Sequence, residues 1–239
     1  LHDCPNGAPD SYSRETFTAL IAKELGSYIC AAYPGNSNYD ISQGIKRKLE
    51  HIPGIPGDVF LSDYINEPHT NKIRLAKEFV KFNERCFVRL LGDMRSYNFV
   101  IDITPDIEDY QYRIRCIDFD QQSYEGRKNL YLPQFFKENK DFVELCLKHL
   151  NKDSIEQYQT EERTMMAFRV ASSRYRLMAL LNIMSKDTLS TPEKTEQLKT
   201  ELADYFGDAV FLKCKNMGQL VKAQLKFTLR KNLHQIQKM

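Results

Sequence analysis

The sequence contains no apolar run long enough to cross a bilayer, for which a helix needs about 20 residues, and its mean hydropathy is −0.52. Nothing near Leu1 resembles a secretory signal. The six cysteines, at 4, 30, 86, 116, 146 and 214, include no C-x-x-C pair and match no zinc spacing. They are expected to be reduced, mostly buried thiols of an intracellular, cytoplasmic protein. His2, His51, His69, His149 and His234 are scattered away from cysteines and acids, so no transition-metal site is proposed from sequence. G-x-S-x-G and H-E-x-x-H are both missing, which leaves hydrolase chemistry without a motif. No internal repeat or low-complexity tract occurs. The net charge of +2 favours no particular partner.

What is present is ample core material. Apolar residues make up 42% of the 239 residues, with 14 Phe and 13 Tyr, which argues against wholesale disorder. The length suits one domain or two unequal lobes. Residues 1–12 are rich in turn formers. Ser13 can cap a helix over about 14–32, and a basic helix is expected near 41–51. Pro53-Gly54-Ile55-Pro56-Gly57 is a breaker. Asp58–Ile65 reads as a short strand and its exit. A strong amphipathic helix follows over about 70–91, with Leu75, Ala76, Phe79, Phe82, Cys86, Phe87 and Leu90 on one face.

Asn98–Thr104 and Tyr112–Phe119 flank a turn with Pro105 and the acids Asp106, Glu108 and Asp109, a hairpin signal. The acidic turn reads as a solvated loop. Helices are then expected over 133–150, 153–185, 191–206 and 216–236. Asp153 with Glu156 is expected to form a capping box, and Thr191-Pro192 a cap followed by proline at the first helical position. Met165, Met166, Met178 and Met184 are expected in the core. From Ala209 onward the chain has seven Lys/Arg and no acid. Lys222, Lys226, Arg230 and Lys231 read as the solvated face of the last helix, with nucleic-acid binding through that helix a weaker reading.

One constellation carries chemistry. Phosphoryl transfer needs a carboxylate to orient the attacking hydroxyl and oxygen ligands to hold magnesium. After the long helix comes Leu91-Gly92-Asp93-Met94-Arg95-Ser96-Tyr97-Asn98-Phe99-Val100, and the hairpin then returns Cys116-Ile117-Asp118-Phe119-Asp120. These segments resemble the catalytic loop and the metal-binding strand end of the protein-kinase-like superfamily, closest to the aminoglycoside and choline kinase-like phosphotransferases. Leu91 stands where the family usually has His, no A-P-E follows, and Gln121–Leu132 is short for a protein-kinase activation loop, so the resemblance points away from the protein-kinase branch.

The resemblance implies an α+β, kinase-like fold, mainly its helical C-terminal lobe (65–239), with a reduced or missing N-terminal lobe (1–64). It implies ATP and magnesium as cofactors. Asp93 would be the catalytic carboxylate, with Arg95 neutralising charge on the transferred phosphate. Asn98 and Asp118 would hold magnesium, with Asp120 assisting. Leu61, Ser62, Asp63 and Tyr64 would form a hinge meeting adenine through main-chain groups. The partners implied are a nucleotide and a hydroxyl-bearing acceptor, either a small molecule or a protein. No Lys precedes Lys23 and no Gly-rich phosphate loop is present. The alternative is therefore a catalytically inactive, pseudokinase-like binding or regulatory module. The chain begins at Leu1 rather than Met, as a fragment or processed product would.

Overall fold

The computed structural model describes residues 54–107, 109–186 and 190–236. The helices expected over 14–32 and 41–51 lie outside these residues, as do Cys4, Cys30 and Glu108. The protein is α+β and mostly helical, with a three-stranded antiparallel sheet. The strands are β1 (Ile55–Pro56), β2 (Phe99–Pro105) and β3 (Tyr110–Cys116), in the order β1-β2-β3. Register pairs Phe99 with Cys116, Ile101 with Ile114 and Ile103 with Tyr112. Alternation then sends these residues to the core and leaves Asp102, Arg113 and Arg115 on the other face.

The helices are α1 (Lys72–Val88), α2 (Lys140–His149), α3 (Lys152–Ser172), α4 (Arg174–Met184), α5 (Pro192–Phe206) and α6 (Met217–Ile236). Asn71 caps α1 by accepting the Arg74 N–H at 3.0 Å. Thr191 caps α5 with Pro192 at the first helical position, and Gly207 ends it at φ 64°.

Four expectations of local structure are corrected. Asp58–Ile65 is helical rather than extended: Gly57–Val59 begins a turn that widens over Phe60–Tyr64, closed by Ile65 N–H to the Phe60 carbonyl at 3.0 Å. Phe60 and Tyr64, four residues apart, stack as a helical turn permits. Residues 133–139 form two single turns, at Pro133–Phe135 and Lys137–Asn139, because Phe136 between them is extended. The helix expected over 153–185 breaks at Ser173 into α3 and α4. The capping box is formed by Asn151 and Ser154, not Asp153 and Glu156, because the N-cap lies two residues earlier. Met166 and Met184 are buried as expected, whereas Met165 is exposed.

Two apolar clusters hold these elements. One joins the hairpin, Phe60, most of α1 and Phe142 of α2, with Phe79 stacked on Phe142 at 4.9 Å. The other gathers α3 to α6 around Phe211, and it takes in Phe87, Val88 and Leu90 from the end of α1. Cys86, Cys116 and Cys214 are buried, Cys146 is half-buried, and all four are free thiols. Among the described residues no helix is long and apolar enough to cross a membrane.

Candidate functional site

The site begins where α1 ends. Leu90 adopts φ 54°, turning the chain out of the helix, and Asp93 adopts φ 54° three residues later. A left-handed conformation is uncommon for a residue with a side chain and needs local support. At Asp93 that support comes from Asn98, whose Nδ2 donates to the Asp93 carbonyl at 2.7 Å and lies 3.4 Å from its Oδ2. Ser96–Asn98 forms a single tight turn, with the Asn98 N–H on the Arg95 carbonyl at 2.8 Å. The five-residue spacing thus closes a small ring of bonds.

The loop is stitched to its surroundings on both sides. Gly92 N–H donates to the Gln121 carbonyl at 3.1 Å, Asp93 N–H to Leu130 at 3.2 Å, and Ser123 N–H to Leu90 at 2.8 Å. A Cβ on Gly92 would lie 3.1 Å from the Gln121 oxygen, so a small residue suits this crossing. Buried Gln122 donates to the Arg89 carbonyl at 2.6 Å, and buried Asn139 to the Met94 carbonyl at 2.9 Å. From the other side comes the helical turn after β1. A Cβ on Gly57 would lie 2.3 Å from the Phe99 ring and 2.4 Å from the Ser96 oxygen, so only glycine permits this approach.

The hairpin brings the second half of the motif to the same place. Ile117 N–H donates to the Asn98 carbonyl at 3.1 Å, continuing the ladder one step past the Phe99–Cys116 pair. Asn98 and Asp118 therefore meet at one end of the hairpin, although 20 residues separate them in sequence. Asp118 Oδ1 accepts the Asp120 N–H at 3.2 Å, so Asp120 orients Asp118 through its main chain. Cys116, just before this segment, receives Arg89 Nη2 on its sulfur at 2.9 Å. Burial would raise the Cys116 thiol, but its bond with Cys86 and the charges of Arg89 and Arg85 pull it below the usual cysteine range.

Asp93 and Arg95 have side chains 35% and 36% exposed, so they are reachable from solvent. Arg95 Nε donates to Asp93 Oδ1 at 2.7 Å, and its Nη1 reaches Glu138 at 3.1 Å, with the guanidinium over the Phe136 ring. The bond to Asp93 raises the Arg95 pKa further, so it stays charged. Arg95 was expected to face a phosphate; here it is held between two carboxylates and orients Asp93. Glu138 and Asn139 escaped the motif reading, because they come from a turn some 45 residues downstream and match no spacing. Asn139, an amide directly before a helix, was the available signal.

Asn98 spends its amide hydrogens on Asp93, which leaves its side-chain carbonyl oxygen as a hard acceptor. Among the described residues, no three His, Cys, Asp or Glu side chains converge as a metal cage. Magnesium needs no such cage, since it takes one or two protein oxygens and fills its other positions with water and phosphate. The donor set at this site fits that habit. Leu61, Ser62, Asp63 and Tyr64 lie in the helical turn, where main-chain groups bond along the chain rather than to an edge-on ligand. The acidic turn is more tethered than a solvated loop. Asp106 accepts Arg74 at 3.2 Å and Gln111 at 3.1 Å, and Asp109 accepts Asn71 at 2.5 Å. Lys226, Arg230 and Lys231 on α6 are exposed. Comparison of the chain with protein-family models, with curated proteins and with solved structures returns no match.

Proposed function

We propose that the protein is a phosphotransferase of the kinase-like type, moving the γ-phosphate of ATP to a hydroxyl group. The observation that carries this reading is the Asp93 carboxylate, half-exposed and oriented by two donors, Arg95 Nε and Asn98 Nδ2, with the main-chain bond of Ile117 to Asn98 bringing the segment that bears Asp118 to the same end of the hairpin. Asp93 would accept a hydrogen bond from the attacking hydroxyl and take its proton as oxygen bonds to phosphorus and the bond to the leaving ADP oxygen breaks. Arg95 and Asn98 hold the carboxylate in one orientation beforehand, which lowers the cost of reaching that geometry. Asn98 and Asp118 would hold magnesium, whose chemistry is to neutralise phosphate charge. The order of helix, loop, hairpin and acidic strand end supports a kinase-like lobe. The helical turn at 57–64 is not part of the proposed nucleotide contact.

A second reading has its own support. Arg95 occupies Asp93 Oδ1. This suits a module that binds nucleotide without turning it over. Two measurements on the full chain separate the readings. The first is magnesium-dependent ADP formation from ATP with a panel of small alcohols and Ser/Thr peptides. The second is the thermal midpoint with and without ATP and magnesium. An enzyme shows turnover that Asp93→Ala reduces at least about 10³-fold, while its ligand-induced stabilisation persists. An inactive module shows stabilisation alone. Turnover unchanged in Asp93→Ala would remove the catalytic assignment.

A further inference from the structure

One cleft among the described residues lies apart from the Asp93 loop. It has a volume of about 810 Å³ and lies between α1, α3 and the outward face of the β2–β3 hairpin. Six basic side chains line it: Arg74, Lys77, Lys81, Arg113, Arg115 and Arg169. None of Asp93, Arg95, Asn98, Asp118 and Asp120 takes part.

The charges in this cleft are unevenly satisfied. Arg74 is held by Asp106 and Asp109, Arg115 by Asp102 at 2.6 Å, and Lys77 and Lys81 by Glu161. Beneath the wall, buried Arg85 takes Glu78 at 2.6 Å and Glu162 at 3.1 Å. Arg113 is held less closely than these. Its guanidinium comes no closer than 3.7 Å to either Glu78 or Glu162, and it forms no hydrogen bond to any described residue. The like charge of Arg85, followed by burial and the charge of Arg169, pushes the Arg113 pKa down despite both glutamates. A planar fork of N–H donors that spends no hydrogen bond on the two glutamates beside it and faces a cleft is suited to a bidentate anion such as a phosphate group.

A second atom in the same wall lacks a partner. Glu162 is 2% exposed, and its Oε1 has no hydrogen-bond partner among the described residues. A buried carboxylate oxygen left unsatisfied is costly, and only a donor relieves it. Arg113 calls for an anion and Glu162 for a hydroxyl, within one cleft of small-molecule size.

We propose that this cleft binds a phosphorylated polyol, its phosphate on Arg113 and a neighbouring hydroxyl donating to Glu162 Oε1. The group carrying the phosphate is either a free sugar phosphate or the headgroup of a phosphoinositide. The site is independent of the phosphotransfer reading, because it shares no residue with it.

Calorimetric titration of the full chain at low ionic strength tests this, with glucose 6-phosphate, glucose and inorganic phosphate as probes. Co-sedimentation with vesicles of phosphatidylcholine, with and without phosphatidylinositol 4-phosphate, forms the second arm. Glucose 6-phosphate is expected to bind at least 10-fold more tightly than inorganic phosphate, with glucose inert; if the headgroup is the true source, the phosphoinositide vesicles alone retain the protein. Either result supports the site when Arg113→Ala weakens it at least 10-fold and Asp93→Ala leaves it unchanged. Lys81→Gln, on the rim, is expected to weaken it several-fold and serves if Arg113→Ala does not fold. Failure of every probe to bind the wild-type chain, or binding indifferent to both substitutions, overturns the proposal. Loss of binding in Asp93→Ala would also overturn it, by placing the ligand in the other site.

Discussion

At the Asp93 loop the charged side chains are about one-third exposed, whereas along the outer edge of β3 Glu78, Arg85 and Glu162 are almost dry. Both regions pair carboxylates with guanidinium groups at hydrogen-bonding distance, but they use the pairs differently. At β3, Glu78 Oε1 accepts the Ile114 N–H at 3.0 Å and Arg85 donates to the Ile114 carbonyl at 3.0 Å. The ion pair thus satisfies a strand edge that would otherwise face α1 with unbonded groups. At the loop, Arg95 and Asn98 aim one carboxylate and leave it open to solvent. Buried pairs make a place rigid, and half-exposed pairs leave a group available for reaction.

Four substitutions or conditions sharpen or break this contrast. The largest expected effect on stability is from Arg85→Ala, which strands two buried carboxylates and should cost about 3–5 kcal/mol in urea unfolding. A cost below about 1 kcal/mol would mean that the edge is not held by the pair. Acid comes next. Burial would raise Glu162, but Arg85, Arg113, Lys81 and Arg169 together hold it below the ordinary value of 4.5, and Lys81 chiefly pulls Glu161 down to about 2. Carboxylates depressed in the folded state stabilise it fully above their unfolded value, and this stabilisation is lost as pH falls through the folded one. Stability should therefore drop between about pH 4.5 and 2, and less steeply in Glu162→Gln; equal slopes would dissociate Glu162 from the acid response.

Smaller effects follow. Asn71→Ala removes the cap of α1 and its bond to Asp109, and should lower stability by about 1 kcal/mol without altering turnover. The smallest change in stability, under about 1 kcal/mol, is expected of Arg95→Ala, since that pair is screened by water. In the proposed enzyme its turnover should nevertheless fall, on the order of 10-fold or more, because Asp93 loses a fixed orientation. A large stability loss with normal turnover would reverse the contrast at this residue.

Much of this was legible in sequence where one physical signal dominated. The apolar stripe of α1, the Thr191-Pro192 start of α5 and the alternation of the hairpin each settled an element. Asp58–Ile65 was misread because Val59, Phe60, Leu61 and Ile65 look apolar enough for a strand. What decided it was Gly57 fitting under the Phe99 ring, a tertiary contact with no local trace. The loop spacing placed Asp93 and Asn98, and the hairpin returned Asp118. Sequence could not show that Arg95 would turn back on Asp93, because Glu138 arrives from a distant turn. The β3 ion pairs did leave a trace: Glu78 and Arg85 lie on the same side of α1 as Phe79, Phe82 and Cys86, and charges on an apolar face imply buried partners.

Helix α1 carries one more implication. Its first four turns belong to the apolar cluster under the hairpin, and its last residues, Phe87 and Val88, to the cluster of the C-terminal helices. Neither cluster can be dissolved while the other keeps a complete boundary. The described part of the chain should therefore melt as one cooperative unit, and a truncation inside Lys72–Leu90 would expose both interiors at once rather than release a self-sufficient half.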